Sequence, residues 1–237
     1  MDLSRVSVHT PNRNEGCSLV ESRRRFAESV TTEFVLLLDS DQWLADSHAI
    51  EKCIETCEAG ADAITFYEIP LAVNETFIGR VIDYDKRLFH DAEDDDPVYG
   101  TAIPRFFRAS FFKRIDFSKL PPLTFEHTMI HKQIEDMGAK IVFRKDLIIY
   151  HMELQKRKQI FDKFFRYGYY WIDAYRINPK LVMEHSKPRR TYFTRKALRH
   201  PGLWLGLWYV YFIKATAATM GGIWRSIKFC SCTGGSA

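Results

Sequence analysis

Apolar and polar positions alternate along the chain in two rhythms. In residues 18–30, Leu19, Phe26, Ala27 and Val30 fall near one face of a helix, and Ser18 with Glu21 has the spacing of a capping box. The unbroken apolar run at 34–38 (FVLLL) predicts a strand buried on both faces, the habit of a parallel sheet between helices. Residues 47–59 predict a second helix, with Gly60 ending it, and 61–69 a second strand. Strand and helix therefore alternate, which predicts an α/β fold.

From 70 to 99 the periodicity fades into a long, charged and aromatic connection holding the acidic run Glu93, Asp94, Asp95 and Asp96, read as a solvated loop. Residues 105–117 return to apolar and basic side chains. A helix over 125–137 would turn Met129, Ile130, Ile134 and Met137 inward and end at Gly138. Short strands at 140–143 and 147–151 and a long aromatic, lysine-rich helix at 155–176 complete the pattern.

The tail changes character. Lys187, Arg189, Arg190, Arg195, Lys196 and Arg199 precede residues 203–224, in which Lys214 and no acidic residue appears before Arg225. As a helix this stretch would rise about 33 Å, against a bilayer core of about 30 Å. It suits an interfacial helix with Trp204, Trp208 and Trp224 at headgroup level, a single-pass span, or a helix buried against the domain. A span would place Lys214 near mid-bilayer, at about 2.5–3.5 kcal/mol.

Composition narrows the classes. A chain of 237 residues, 46% hydrophobic, is long enough to bury a full core. A net charge of +4 without a recognition motif gives no reason to expect nucleic acid as a partner. Five cysteines in no paired framework suit a reducing compartment, and Cys53 and Cys57 share an apolar helix stripe with Ile50 and Ile54, so they read as core rather than metal ligands. The polar residues through Glu15 do not read as a secretory leader.

The candidate chemistry begins where the first buried run ends, at Asp39-Ser40-Asp41. Ligands of a parallel sheet gather at the carboxyl edge of its strands. In an extended chain, residues two apart point the same way, so both carboxylates would face one point. A divalent cation, magnesium or manganese, would relieve their repulsion and leave positions open for phosphate oxygens. An Asx turn or a helix cap explains the same residues without chemistry.

The segments ESRRRFAESVTTEFVLLLDSD, PRFFRASFFKRIDF, FEHTMIHKQIEDMGAKI and LIIYH, in that order and spacing, resemble the family 2 glycosyltransferases of the GT-A fold over roughly residues 18–170. The resemblance implies that Asp39 lies toward the donor nucleotide, that Arg23 and Arg105 help hold the donor, and that Asp41 holds a metal on its diphosphate with His151 completing that site. It implies a catalytic acidic pair at 126–127. Here Glu126 is kept but His127 stands where an aspartate is usual, so either is the candidate base, an imidazole with a reference pKa of about 6.5 being suited to neutral pH. Glu135 and Asp136 repeat the acidic pattern at a helix end and read as solvated, Arg24 and Arg25 have no assigned role, and Arg108 shares the phosphate or acceptor reading of Arg105.

Relatives open with a strand ending in a Pro-x-x-Asn-Glu-like turn and a second strand for the base. VSVHTPNRNEG, 6–16, resembles that turn but stands close to the acidic motif and reads as the loop entering the first helix, so the nucleotide-binding strands are expected to be incomplete.

The expectation is thus α/β: a GT-A-like (Rossmann-like), mostly parallel sheet with flanking helices, N-terminally truncated, plus C-terminal helices. The domains would be 1–152, a truncated glycosyltransferase domain; 153–200, a basic helical connection; and 201–237, a membrane-associating segment. The expected activity is metal-dependent, inverting transfer from a nucleotide-diphosphate sugar to a hydroxyl acceptor, lipid-linked if the tail meets a membrane, at the cytoplasmic face, peripheral or single-pass. The alternatives are an inactive remnant or membrane-associated interaction module, and a nucleotidyltransferase, although no glycine-rich phosphate loop is present near the start.

Overall fold

In the computed structural model, residues 3–11, 16–71, 76–91 and 103–233 are described. The acidic run at 93–96 and part of the 6–16 segment lie outside them. Contacts divide the chain into two compact units, Met1–Leu71 with Phe89–Met152, and Ala72–Leu88 with Glu153–Ala237.

The first unit is α/β. Its strands are β1 (Val6–His9), β2 (Phe34–Leu37), β3 (Gln42–Leu44), β4 (Ala63–Leu71), β5 (Pro104–Arg108) and β6 (Ile141–Met152), arranged β1-β2-β5-β4-β6-β3 in one sheet. β1–β2 and β4–β6 are parallel, while β2–β5, β4–β5 and β3–β6 are antiparallel. The sheet is therefore mixed, its longest ladder, β4 on β6, being parallel. All four residues of β2 are buried, as its unbroken apolar run requires.

Helices α1 (Leu19–Ser29), α2 (Ala49–Glu58), α4 (Ala109–Phe112) and α5 (Glu126–Asp136) belong to this unit, and α3 (Phe77–His90) reaches into it with its last two residues. Phe34, Leu36, Ile54, Ile64, Phe106, Leu147 and Ile149 form its core with Cys53 and Cys57 of α2, and burial raises both thiol pKa values. Phe34 and Phe106 stack across β2 and β5 with centroids 5.4 Å apart.

Several local expectations change. Residues 6–9 are an edge strand rather than loop, because they pair in register with the whole of β2. Ser18 caps α1 by accepting from the Glu21 amide at 3.1 Å, but the reciprocal arm of a capping box is absent, since the Glu21 carboxylate accepts from Arg24 and Arg25. The two short strands expected at 140–151 are one, β6, whose ladder with β4 shifts register between Phe66 and Tyr67. The stretch 70–99 is not all loop, for it holds α3.

The second unit is helical. It contains the Phe77 to Leu88 part of α3, α6 (Arg157–Ile177), α7 (Pro179–Ser186), α8 (Arg195–Leu198) and α9 (Pro201–Thr233). Val81, Ile82, Leu88, Ile160, Tyr192, Leu207 and Val210 form its core. Among the described residues no helix is long and apolar enough to cross a membrane.

α6 and α9 meet through glycines. A Cβ on Gly168 would stand 1.9 Å from the Ala218 carbonyl oxygen, and one on Gly221 would stand 2.0 Å from that of Phe165. Backbone cannot yield as a flexible side chain does. Gly221→Val should therefore lower stability by about 1–3 kcal/mol through overpacking. Gly202→Ala, with nothing within 4 Å of the added carbon, should stay within about 0.5 kcal/mol, both read from the denaturant midpoint.

Candidate active site

The site forms where β2 ends. Leu38 still donates to the His9 carbonyl at 3.0 Å, and the chain then turns, with the Gln42 amide donating to the Asp39 carbonyl at 2.9 Å. This turn removes the alternation expected of an extended chain. Asp39 and Asp41 accordingly have separate partner sets instead of one.

Asp39 faces two guanidinium groups. Arg23 of α1, with none of its surface exposed, donates from Nη2 to Oδ1 at 3.2 Å, and Arg105 of β5 donates from Nη1 to Oδ2 at 3.0 Å. Burial alone would raise the Asp39 pKa, but the guanidinium groups of Arg105 and Arg23 outweigh it and hold this carboxyl well below the usual range.

The other wall is the first turn of α5. Phe125, immediately before it, has φ 63°, a left-handed conformation that a bulky L-residue adopts only under constraint. It delivers Glu126 and His127 side by side against Arg23. Arg23 Nη1 lies 3.0 Å from His127 Nδ1 and 3.8 Å from Glu126 Oε1, and His127 Nε2 lies 3.3 Å from Glu126 Oε1 and 3.7 Å from Asp39 Oδ2.

Burial raises the Glu126 pKa to about 7, against the opposing pull of Arg23. Burial, helped by Arg23 and Arg105, lowers that of His127 well below its ordinary 6.5. At neutral pH the imidazole is therefore uncharged, and the carboxyl is poised between its two forms. With Glu126 protonated, two guanidinium groups face one carboxylate, Asp39, so the cluster carries a net positive charge suited to an anionic ligand.

Asp41 is placed by strand pairing. Met152 donates its amide to the Asp41 carbonyl at 2.9 Å, and β3 pairs Gln42 with His151, which brings His151 Nε2 to 3.5 Å from Asp41 Oδ1. Because His151 also pairs with Pro70 on β4, Glu68, two residues earlier on the same face, reaches His151 Nδ1 in a short contact. The His151 contact is the largest cause of the lowered Asp41 pKa.

These donors suit a divalent cation. Two ligand atoms about 2.1 Å from one ion stand about 3 Å apart when cis, near the Asp41–His151 separation. With Nδ1 on Glu68, Nε2 is the atom that would face a cation, the arrangement in which a carboxylate orients a histidine ligand.

Arg23, Asp39, Arg105, Glu126 and His127 thus converge in one cluster, and Asp41 and His151 in a pair beside it. Arg108 is elsewhere, donating to the Ala61 and Cys57 carbonyls. Arg24 and Arg25 pair with Glu21 and Glu28 on the α1 surface, and Glu135 and Asp136 pair with Lys132. Glu68 is the participant the sequence reading passed over. Its only signal was a carboxylate inside an otherwise apolar and aromatic strand.

No family model matches the chain, and no curated protein does. Among solved structures it is similar to S. aureus TarS, at 12% identity and a TM-score of 0.42, over 85% of this chain and 42% of that one. TarS 1–349 in complex with UDP-GlcNAc gives 14% and 0.42, over 79% and 59%, and TarS 1–349 alone gives 13% and 0.40, over 83% and 60%. The chain spans between 42% and 60% of the length of these three structures.

Proposed function

We propose that the protein is a GT-A-type glycosyltransferase that moves a sugar from a nucleotide-diphosphate donor to a hydroxyl acceptor with inversion. The observation that supports this most is buried Glu126 beside half-buried His127, a carboxyl tuned near neutrality and set against the arginine cluster. A base of this kind contributes most when its pKa lies near the working pH. Glu126, poised near neutrality, takes the acceptor proton in its ionised form, and His127, with 23% of its side chain exposed against 6% for Glu126, lines the approach of the acceptor hydroxyl.

In this reading Arg23 and Arg105 hold Asp39 in place and offset donor phosphate charge. Asp41 and His151, the latter oriented by Glu68, are the residues that would hold magnesium or manganese. When bound, the ion supplies charge stabilisation at the leaving diphosphate. Inversion follows from a direct displacement in which acceptor and leaving group lie on opposite faces of the sugar.

One observation favours a second reading, an inactive remnant. Both Asp39 oxygens are already engaged by guanidinium groups, so the cluster is self-satisfied as it stands.

Turnover separates the two. The full chain is incubated with manganese and a panel of nucleotide sugars, beginning with UDP-GlcNAc, the molecule held in the TarS complex, and released nucleoside diphosphate is measured. The transferase reading expects turnover, loss of manganese stimulation in Asp41→Ala, and a loss of roughly 10–100-fold in Glu68→Gln. No turnover with any donor supports the remnant.

A further inference from the structure

We propose that α9 lies in the plane of an anionic lipid surface, with the basic segment that precedes it on the headgroups. The inference rests on the helical unit alone and is independent of the transferase reading. Its starting point is angular. Taken at 100° per residue, Leu205, Tyr209, Phe212, Met220, Ile223 and Ile227 fall within about 80° of arc, and all six are exposed, Phe212 by 69% and Leu205 by 61%. The gap in the middle of this stripe is filled by Thr216 and Thr219, which are uncharged.

Two of the three described charges of the same helix lie on its opposite side, and the third, Lys228, is exposed about 140° from Leu205 with its ammonium over the Trp224 ring, where a cation meets headgroups. Lys214 sits about 180° from Leu205 and Arg225 about 200°. Lys214 and Arg225 are turned inward onto partners. Lys214 stands 3.7 Å from the buried Asp85 of α3 and over the Phe164 ring, and Arg225 is paired with Asp173 of α6. The charge that would oppose membrane contact in the sequence is therefore removed from the outward face by an internal ion pair.

The occupant is set by charge. Residues 187–199 contain no acidic residue; Lys187 is paired with Glu184 and Arg189 with Asp85, and Arg190, Arg195, Lys196 and Arg199 are exposed. Within this segment Phe193 is 67% exposed and Leu198 is 53% exposed. The Phe193 ring lies 5.5 Å from Trp208 of α9, so basic segment and apolar stripe adjoin. A second copy would bring the same cations against each other, whereas anionic headgroups complement them. Trp224, 49% exposed beside Ile223, adds an aromatic ring of the kind that settles at headgroup level. Since α9 is not long and apolar enough to cross, the stripe lies along the boundary between headgroups and acyl chains rather than through it.

Flotation of the full chain with phosphatidylcholine vesicles, with and without phosphatidylglycerol, is the test. Binding is expected only with the anionic lipid and is released by high salt. Arg195→Gln with Lys196→Gln should weaken it by roughly 30-fold. Phe212→Asp with Ile223→Asp should abolish it while the far-ultraviolet circular dichroism is unchanged. If that pair fails to fold, the Arg195 and Lys196 arm decides alone. Absence of flotation by the wild-type chain, or flotation insensitive to these changes, overturns the proposal. So does a lipid-free dimer by light scattering that Phe212→Asp with Ile223→Asp converts to monomer, because a second copy would then be the occupant.

Discussion

Arg23→Met will destabilise the sheet unit by about 3–5 kcal/mol, the usual cost of removing one partner from a buried ionic cluster. The guanidinium is wholly buried and contacts Asp39, His127 and the edge of Glu126 at once. Methionine replaces its volume but leaves Asp39 with Arg105 as its remaining guanidinium partner, and it removes the main influence that favours ionised Glu126. Against a total of about 5–15 kcal/mol, this is a large fraction. Arg23→Lys should recover little, because a single ammonium cannot span both the carboxylate and the imidazole. Urea denaturation measures both variants, and a loss below about 1 kcal/mol for the methionine would show that the cluster is not held by this residue.

The Glu126–His127 pair makes a second large prediction, one of sign. In the folded chain Glu126 is raised to about 7 and His127 is lowered well below its ordinary 6.5, so just below neutrality the pair holds one proton, on the carboxyl. Unfolded, the same pair also holds one proton in that window, on the imidazole. Equal proton numbers give no slope of stability with pH, so in the native protein the two contributions cancel.

Each substitution exposes the other half. In His127→Asn the remaining Glu126 binds its proton more tightly folded than unfolded. Its contribution is full below about 4.5 and is lost as pH rises to about 7, a fall of about 3 kcal/mol. In Glu126→Gln the remaining imidazole is held neutral in the fold, so stability rises with pH up to its ordinary 6.5. Opposite slopes in denaturation series at pH 4.5 to 7 are expected, and slopes of the same sign would refute the assignment of the proton to Glu126.

Much of the sheet unit could be read from apolar rhythm, because α1, β2, α2, β4 and α5 present either an unbroken buried run or a regular helix stripe. α3 was not, and the reason is one residue. Ile78, Val81, Ile82, Leu88 and Phe89 have helical spacing, but the position between them is Asp85, a buried carboxylate whose partners Arg189 and Lys214 lie more than a hundred residues away in the chain. A charge satisfied at that distance looks locally like a broken pattern. β1 was hidden in the opposite way, since its inward residue is His9 while Val8 is 49% exposed. Of the clustered residues, Asp39 stands out by its place at the end of the buried run, whereas Arg23, Arg105, Glu126 and His127 are singled out by resemblance rather than by periodicity. What no local pattern could supply was the left-handed Phe125, or Glu68 as the partner of His151.

The divided course of the helical unit has a consequence for how the chain is made. Residues 77–88 emerge from the ribosome early, yet the side chains that cover Val81 and Leu88 include Leu207 and Val210, synthesised more than a hundred residues later. Until then an amphipathic helix stands with its apolar side uncovered, a contact of high sequence separation that closes late and leaves the nascent chain open to chaperones or to self-association. Translation arrest after residue 152 would trap that state permanently.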